Sequence, residues 1–479
     1  MAGLTKDRRQ GDRRAQDRET PERRFGEDRR EGPRPSVPSA YSPELPPGPR
    51  RPAFVQTLEW IADPKGFMTR CRRRYGDAFS VRLGPSTDVV FLSDPAAVRE
   101  VFQGSPEDMN MGDINGLFRR VLGRNSLLVL DGAEHMRQRK LLLPAFHGER
   151  IERHRKAMAR AADDDVATWP IGEPFPLQPR MQAMTLNVIL RAVFGMESGP
   201  KRDELRVLLA RLLELNTTIA TTLPQLRIEL CGLSTWGRLM RCTAEVDRAI
   251  YAEMGRRRDE SRQSRQDQDD VLSLLLDARD EAGEPMTDVE IRDQLLTMLV
   301  AGHETTATAL AWAFERMLRY PAVIARLRAE LERGESRYLD AAIKESLRLR
   351  PVVPIAARKL TAPLTVGGRR YEPGTVLMPC IFLLHRNPLV YEAPEEFRPE
   401  RFVNQQPATY AWIPFGGGVR RCLGASFALL EMRIVIESVL RNLDLRPATR
   451  RDERIVRRAF TLSPSRGGRV VATRVRTPA

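Results

Sequence analysis

A lone cysteine follows a run of three glycines in the segment Phe415-Gly-Gly-Gly-Val-Arg-Arg-Cys-Leu-Gly424. The apolar stretch Ala425 to Leu440 has helical spacing, so Cys422 lies at the start of a predicted helix. The glycines leave no side chains near the sulfur, and the helix N-terminus together with Arg420 and Arg421 favours a thiolate. A thiolate beneath bare backbone suits a nucleophile or a metal ligand, and especially iron in a flat porphyrin. A buried, inert cysteine after a glycine turn is the alternative.

An acid and a hydroxyl stand side by side in the segment Ala301-Gly-His-Glu-Thr-Thr306, inside the longest predicted helix, Asp288 to Tyr320. A glycine, and a threonine hydroxyl that bonds back to a carbonyl, loosen a helix locally and leave room for a small ligand and water. Glu304 and Thr305 could relay protons there. Apolar residues flank the segment on both sides, which argues against a solvent-exposed, threonine-rich face. His303 in isolation looks like a metal ligand.

Two further spacings place charged side chains on one helix face. In His135-x-x-x-Arg139 two donors lie four residues apart, and two donors on one face can hold a carboxylate. Other basic residues lie in the same segment, so a solvated basic helix face is the alternative. In Glu345-Ser-Leu-Arg348 the opposite charges lie about one turn apart and can pair. By itself this pair is a weak signal, because such pairs are common on protein surfaces.

Length and composition limit the class of protein. With 479 residues, of which 42% are hydrophobic, the chain can bury a large core. The five cysteines show no paired spacing, which argues against a disulfide framework and for a reducing cytoplasm. No run of about 18 apolar residues occurs, so no transmembrane anchor is expected. The net charge of +15 is spread along the chain and aromatic residues make up only 6%, which argues against nucleic-acid binding. A basic surface that receives an acidic electron-transfer protein fits better.

Charge and proline patterns divide the chain into three parts. Residues 1–34 carry 11 Lys/Arg and 8 Asp/Glu with few apolar side chains, so they are predicted to form a disordered tail. Residues 35–53 are a proline-rich linker, and residues 54–479 are predicted to be a single domain.

Hydrophobic periodicity predicts that this domain is mainly α-helical with small β-sheets. Helices are predicted over 57–75 with a break at Pro64, and over 95–102, 134–143, 149–169, 180–194, 201–215, 238–262, 270–279, 288–320, 321–333 and 338–349. Strands are predicted over 78–83 and 88–92, within 364–375, and in a terminal hairpin of 459–464 with 469–474. The segment 104–130 has mixed composition and is predicted to be a mobile loop.

Four motifs, in the family's order, resemble those of cytochrome P450 monooxygenases. They are His135-x-x-x-Arg139, the segment 301–306, Glu345-x-x-Arg348 with Arg401, and Phe415-x-x-Gly418-x-Arg420-x-Cys422-x-Gly424. The resemblance covers Pro46 to the C-terminus. It implies the cytochrome P450 fold, with haem b (iron protoporphyrin IX) between the long central helix and the cysteine-bearing loop and helix.

The resemblance also implies roles for individual residues. Cys422 would bind the iron, Thr305 would act in oxygen activation, and Glu304 would supply protons. The family varies the position of His303, so this residue is interpreted as structural. Further contacts to the cofactor, mainly to its propionates, are implied for His135, Arg139, Arg358, Phe415, Arg420 and Gly424. A buried ion network that braces the haem region is implied for Glu345, Arg348 and Arg401.

The activity that the resemblance implies is insertion of one oxygen atom from O2 into a lipophilic small molecule. Hydroxylation or epoxidation of a terpenoid, steroid or fatty acid would fit. No flavin or iron–sulfur domain is recognisable, so electrons would come from a separate ferredoxin or flavodoxin-type donor with its reductase. A peroxide-driven peroxygenase is one alternative, although such relatives typically lack the Glu–Thr pair. A haem carrier or sensor without turnover is another, although it needs no proton relay.

The sequence indicates only broadly where a substrate would bind. By resemblance, contacts are expected from residues 104–130, 209–228 and 352–357, from the long helix near Ala301, and from Leu462. Many of these residues are apolar and could equally be ordinary core.

Overall fold

The computed structural model describes residues 45–474, apart from 84–86, 147, 197, 217–233, 260–269 and 406–407. Most of the described residues are helical. The α-helices are α1 (Ala53–Ala62), α2 (Pro64–Tyr75), α3 (Pro95–Gln103), α4 (Gly112–Asn115), α5 (Arg119–Leu122), α6 (Gly132–Leu142), α7 (Glu149–Arg153), α8 (Arg155–Val166), α9 (Leu177–Phe194), α10 (Pro200–Asn216), α11 (Thr235–Asp259), α12 (Val271–Asp277), α13 (Asp288–Met317), α14 (Pro321–Glu332), α15 (Arg337–Leu349), α16 (Ile381–Leu384) and α17 (Ala425–Asn442).

The strands form small sheets beside the helices. They are β1 (Ala78–Leu83), β2 (Thr87–Leu92), β3 (Met109–Asn110), β4 (Pro174–Pro176), β5 (Arg358–Leu360), β6 (Leu364–Val366), β7 (Arg369–Tyr371), β8 (Val376–Pro379), β9 (Leu443–Pro447), β10 (Ile455–Arg458), β11 (Thr461–Pro464) and β12 (Arg469–Arg474). The largest sheet has the order β1-β2-β8-β5-β3, in which β2 and β8 are parallel and the other pairs are antiparallel. The smaller sheets are β4-β12-β9, β10-β11 and β6-β7.

Helix α13 lies at the centre of the helical part and packs against α9, α15 and α17. A capping box begins it: Thr287 Oγ1 accepts from the Glu290 N–H at 3.3 Å, and the Glu290 carboxylate accepts from the Thr287 N–H at 2.7 Å. Glu290 also accepts from Arg137 Nη1 at 2.6 Å and from Gln138 Nε2 at 2.5 Å. These bonds fix α6, the helix of the His-x-x-x-Arg motif, against the start of α13.

The predicted terminal hairpin is wrong. Strand β11 pairs with the preceding β10 through a turn in which Ala459 has φ 50°, whereas β12 pairs with β9 and β4. The Gly467 carbonyl accepts from the Gln178 N–H at 3.0 Å, so the turn between the two predicted strands is bonded to the start of α9. Long-range pairing therefore outweighs the local hairpin signal.

Two other segments differ from the predictions. The helix predicted over 149–169 is interrupted at His154, between α7 and α8. The segment 104–130, predicted to be a loop, contains the short strand β3 and the one-turn helices α4 and α5. Its backbone is held by the Asp131 carboxylate, which accepts from the Met111 and Gly112 N–H groups at 2.7 Å each.

The predicted tail and most of the predicted linker lie outside the described residues. Within the described ranges, no helix combines the length and the apolar character that crossing a bilayer requires.

Candidate active site

The loop before α17 places Cys422 immediately before the helix. The Cys422 N–H donates to the Phe415 carbonyl at 2.9 Å, which closes the loop, and the Arg421 N–H donates to the Gly418 carbonyl at 3.0 Å. Helix α17 then begins after Gly424, close to the predicted position. Phe415 is half-buried and anchors the loop by an edge-to-face contact with Trp412, whose ring centroid lies 6.1 Å away.

Two of the three glycines in this loop are required by packing against α3. A Cβ on Gly417 would come within 2.5 Å of the Phe102 ring, and a Cβ on Gly418 within 2.5 Å of the Phe102 carbonyl. Gly418 also has φ 66°, in the left-handed region that favours glycine. At Gly416 and Gly424 an added Cβ would meet open space. The loop therefore has bare backbone on one side and close contact with Phe102 on the other.

The charge state of Cys422 differs from the sequence-based expectation. The side chain is exposed, yet desolvation by surrounding protein atoms raises the pKa of its thiol above the ordinary 9.0. The Gly424 N–H, Arg139 and Arg421 act in the predicted direction and lower this pKa, but their combined effect is smaller. The protein alone therefore does not favour the thiolate, and deprotonation would have to accompany metal binding.

A group of basic side chains gathers next to this loop. His135 and Arg139 on α6, Arg358 on β5 and Arg420 in the loop lie close enough to influence one another's pKa values. Burial first, and then the fields of the arginines, lower the pKa of His135 to about 3, so its imidazole is neutral at neutral pH. Burial and the Arg420 field lower the pKa of Arg358 to about 10. Among the described residues, Asp131 is the one carboxylate whose field reaches Arg358 and Arg420.

This basic group has the chemistry of an anion site. His135, Arg358 and Arg420 line a cavity of about 20 Å³, which is about the space of one water-sized polar group. Buried cations that repel one another are favourable only when an anion compensates them, and one carboxylate faces several cations here. Arg137 and Lys140 pair instead with Asp280, Glu290 and Glu281, so the rest of the α6 basic surface is already neutralised. The charges of the residues present therefore fit an anionic group such as a haem propionate.

Helix α13 presents one accessible face in an otherwise buried stretch. Met298, Ala301, Gly302 and Thr305, which share a helix face by their spacing, are half-buried, whereas their neighbours on the other faces are buried. Thr305 Oγ1 donates to the Ala301 carbonyl at 2.7 Å, the back-bond expected from the sequence. The α-helix nevertheless continues through this turn.

Glu304 lies on a different face of α13 from Thr305. Its carboxylate is buried against α9, where Gln182 Nε2 donates at 2.5 Å and Gln178 Nε2 at 3.3 Å, and Thr308 Oγ1 donates at 3.4 Å. Desolvation raises the pKa of Glu304, while the Gln182 hydrogen bond and the Arg458 field lower it. The acid and the hydroxyl of the motif are thus adjacent in sequence but point to different neighbours.

His303 contacts α9 and not the accessible face. Its Nε2 lies 2.8 Å from the Gln182 carbonyl, and burial lowers its pKa to about 4. This placement agrees with the prediction of a structural role.

The three residues of the predicted ion network lie together. Arg348 Nε donates to Glu345 Oε2 at 2.6 Å with both side chains fully buried, and Arg401 Nε lies 3.4 Å from Glu345 Oε1. The remaining Arg348 N–H groups donate to the His385, Pro394 and Glu396 carbonyls, so this guanidinium supports the chain before the cysteine loop.

Part of the predicted substrate region is assembled in the fold. The Leu462 N–H donates to the Val352 carbonyl at 2.7 Å, and both side chains are buried. Leu209 is instead packed in the helical core with α11, and residues 217–228 lie outside the described chain.

Four residues near the site were missed from the sequence. Asp131 pairs with Arg420, Phe102 lies beneath the glycines, and Gln178 and Gln182 hold Glu304. Only the two glutamines left a sequence signal, because their spacing of four residues places both on one face of a helix.

A thiol at a helix start, a basic anion site and one accessible face of a long helix together define a haem-thiolate protein. In agreement with this, the family model described as Cytochrome P450 matches residues 46–469. The chain therefore belongs to the cytochrome P450 family and is a haem-dependent monooxygenase. The predicted family, fold and enzyme class are confirmed.

Relatives along nearly the whole chain support the same assignment. The Mycobacterium tuberculosis protein named cytochrome P450 135B1 is 39% identical, with 89% of this chain and 91% of that protein covered. Cytochrome P450 137 of the same organism is 39% identical, with 88% and 90% covered. A solved structure of retinoic acid-bound cyanobacterial CYP120A1 has a TM-score of 0.78 and 26% identity, with 90% of this chain and 99% of that one covered.

Proposed function

We propose that this enzyme inserts one oxygen atom from O2 into a lipophilic small molecule, by hydroxylation or epoxidation of a terpenoid, steroid or fatty acid. The observation that carries the proposal is the half-buried face of α13 with the hydroxyl of Thr305 on it, backed by the buried acid Glu304. The retinoic acid bound to the cyanobacterial relative, an isoprenoid acid, supports a substrate of this class.

The cofactor is proposed to be haem b, with Cys422 as its thiolate ligand. His135, Arg139, Arg358 and Arg420 would bind its propionates, and the bare backbone at Gly416 and Gly424 leaves space for the ring. When bound, the haem supplies the oxidising power that breaks a C–H or C=C bond. The protein orients the substrate, excludes water and supplies protons.

Proton delivery is assigned to Glu304 and Thr305. Burial raises the pKa of the Glu304 carboxyl toward the working pH, which is where a proton donor and acceptor is most effective. Thr305 Oγ1 is both donor and acceptor, and rotation away from the Ala301 carbonyl would let it pass a proton to the accessible face.

Electrons are proposed to come from a separate ferredoxin or flavodoxin-type donor with its reductase, in the cytoplasm. The net charge of +15 and the exposed Arg421, next to Cys422, favour an acidic partner.

Two substitutions test the proposed chemistry. A Soret-shift screen over lipids and terpenoids first selects a ligand. With that ligand, product formed per NADPH is compared in wild type, Thr305→Ala and Glu304→Ala. We expect haem content and carbon monoxide binding to persist, with the electrons of Thr305→Ala leaving as hydrogen peroxide. General acid assistance is typically about 10²–10⁴-fold, so the loss of product should be large.

The alternatives give different results. Equal product per NADPH in all three proteins would contradict the relay. Product formed from hydrogen peroxide alone, without NADPH, would indicate a peroxygenase, and no product from either source would indicate a carrier or sensor.

A further inference from the structure

A buried polar patch lies between α9 and α13, around Glu304. At its centre is the Glu304 carboxylate, 9% exposed. Its donors are the amides of Gln182, at 2.5 Å to Oε2, and Gln178, at 3.3 Å to Oε1. The Thr308 hydroxyl, at 3.4 Å, completes the set. An ionisable acid is therefore held mainly by two neutral side chains of the neighbouring helix.

The charged surroundings of this carboxyl are sparse. From α9 it faces the two neutral amides, from α13 it faces Thr308, and its neighbour His303 is neutral above a pH of about 4. Among the causes that shift its pKa most, the field of Arg458 on β10 is the one that comes from a charged group of the described residues. Amide N–H donors favour the carboxylate over the neutral acid. The two amide hydrogen bonds therefore help to set the protonation state of Glu304.

Gln182 and Gln178 differ in a way that gives Gln182 the larger role. Gln182 is half-buried, so it lies between solvent and the buried carboxyl, and its hydrogen bond is the shorter one. Gln178 is 1% exposed, and its Nε2 lies a similar distance from Thr308, at 3.4 Å. The Gln182 backbone is also fixed to α13, because its carbonyl lies 2.8 Å from His303 Nε2.

The patch has unused hydrogen-bonding capacity. Gln178 Oε1 and His303 Nδ1 are buried and have no hydrogen-bond partner among the described residues. Buried polar atoms of this kind commonly bind an ordered water, and such a water would extend the path for protons beside Glu304.

We propose that Gln182 is a positioning residue that controls proton supply: its amide holds Glu304 toward solvent in the state that accepts a proton, and releases it when the acid is protonated. The proposal deepens the function proposed above and rests on it. A protonated carboxyl has lost the negative charge that strengthens its hydrogen bonds, so its bond to the amide N–H weakens and the side chain is freer to move. Protonation of Glu304 would thus be coupled to release of its side chain from Gln182.

The first test measures the acid directly, without turnover. The haem-loaded protein is titrated by infrared spectroscopy, and the Glu304 band is identified by its absence in Glu304→Gln. In Gln182→Met the donor is lost, and the titration midpoint should rise by about one to two pH units. In Gln182→Lys a cation replaces the amide, and the midpoint should fall below that of wild type. Gln405→Met, the same substitution at an exposed residue outside both helices, is the control and should not move it.

Opposite shifts separate positioning from simple packing. A residue that only fills space would give the same result with Met and Lys, whereas the proposal requires a rise in one and a fall in the other. Gln178→Met should raise the midpoint less than Gln182→Met. Because position 182 is half-buried, both long side chains can reach solvent, and carbon monoxide spectra verify that each variant is folded.

The second test uses the ligand with the largest Soret shift and measures product per NADPH from pH 5 to pH 9. The pH of half-maximal coupling should move with the infrared midpoint in each variant, and the ratio of rates in H2O and D2O should rise in Gln182→Met. If Glu304→Ala and Thr305→Ala lose coupling but both Gln182 variants match wild type in midpoint and coupling, only the role of Gln182 is overturned. If Glu304→Ala and Thr305→Ala also keep full coupling, the proposed function itself fails.

Discussion

At the scale of single residues, the cysteines show how environment decides chemistry. Of the four cysteines that the structure describes, Cys422 is exposed, whereas Cys71, Cys242 and Cys380 are buried. Desolvation raises the pKa of Cys71 to about 11 and that of Cys380 to about 12, so neither thiol ionises readily. Cys422 is the one whose position combines access, a helix start and nearby arginines.

Replacing Cys422 should therefore remove the proposed iron ligand. We expect Cys422→Ala to lose the thiolate-type carbon monoxide difference spectrum, because no other described cysteine is accessible. Cys71→Ala, Cys242→Ala and Cys380→Ala should keep it, as should a change at Cys231, which lies outside the described residues. A normal spectrum in Cys422→Ala would contradict the assignment of the site.

Glu431 on α17 is a buried acid that the proposed mechanism does not use. It is 3% exposed, its Oε1 has no hydrogen-bond partner within the described part of the chain, and burial raises its pKa from 4.5 to about 8. A carboxyl with a raised pKa in the folded state is neutral there at neutral pH but ionised in the unfolded chain. Its contribution to stability is full below pH 4.5 and is lost as pH rises toward 8.

This linkage predicts a pH-dependent effect of one substitution. Glu431→Gln keeps the shape of the side chain but does not ionise. As pH rises between the two pKa values, the free energy of unfolding of this variant should increase relative to that of wild type by up to about 1.4 kcal/mol per pH unit. Urea unfolding at several pH values between 4.5 and 8 measures the difference. Parallel pH profiles for the two proteins would contradict a raised pKa of Glu431 in the folded state.

At the scale of elements, the contact between α3 and the cysteine loop decides the loop's shape. Gly418 needs a left-handed backbone and also the space that a Cβ would occupy beside the Phe102 carbonyl, whereas Gly416 needs only the left-handed backbone. The two glycines therefore have similar conformational demands but different packing demands.

A matched pair of substitutions separates these demands. Both Gly418→Ala and Gly416→Ala carry a strain of about 1–2 kcal/mol from positive φ. Gly418→Ala adds a close contact of 2.5 Å and should lose haem at a lower temperature than Gly416→Ala. Thermal loss of the Soret band measures this order. Equal haem retention in both variants would mean that the Phe102 contact does not hold the loop.

At the scale of the whole molecule, the enzyme is organised around α13. Near its N-terminus, Glu290 is hydrogen-bonded to α6, and in its middle Glu304 is hydrogen-bonded to α9. In its C-terminal half, Trp312 Nε1 donates to the Leu462 carbonyl at 2.8 Å. One helix thus links the anion site, the acid and the strand next to the predicted substrate region.

The N-terminal tail is predicted to play no part in this organisation. Residues 1–34 lie outside the described chain, and their composition offers few apolar side chains to bury. Deleting Met1 to Arg34 should leave haem content and the Soret shift with the selected ligand unchanged. Clear loss of haem after deletion would show that the tail packs on the domain.

The sequence by itself determined the features that depend on local chemistry and short spacing. The cysteine at a helix start, the back-bond of Thr305, the helix of Glu345 and Arg348, and most helix boundaries follow from neighbours a few residues apart. Such neighbours are brought together by the helix period alone, so their interactions can be predicted without knowledge of the rest of the fold.

Only the tertiary structure decided the features that join distant segments. Strand β12 pairs with β9 and β4 and not with β11, and Glu304 meets Gln182, which lies 122 residues away. Packing against Phe102 explains two of the loop glycines, and desolvation outweighs the arginines at Cys422. These outcomes depend on burial and on which elements meet, and neither quantity is encoded in local spacing.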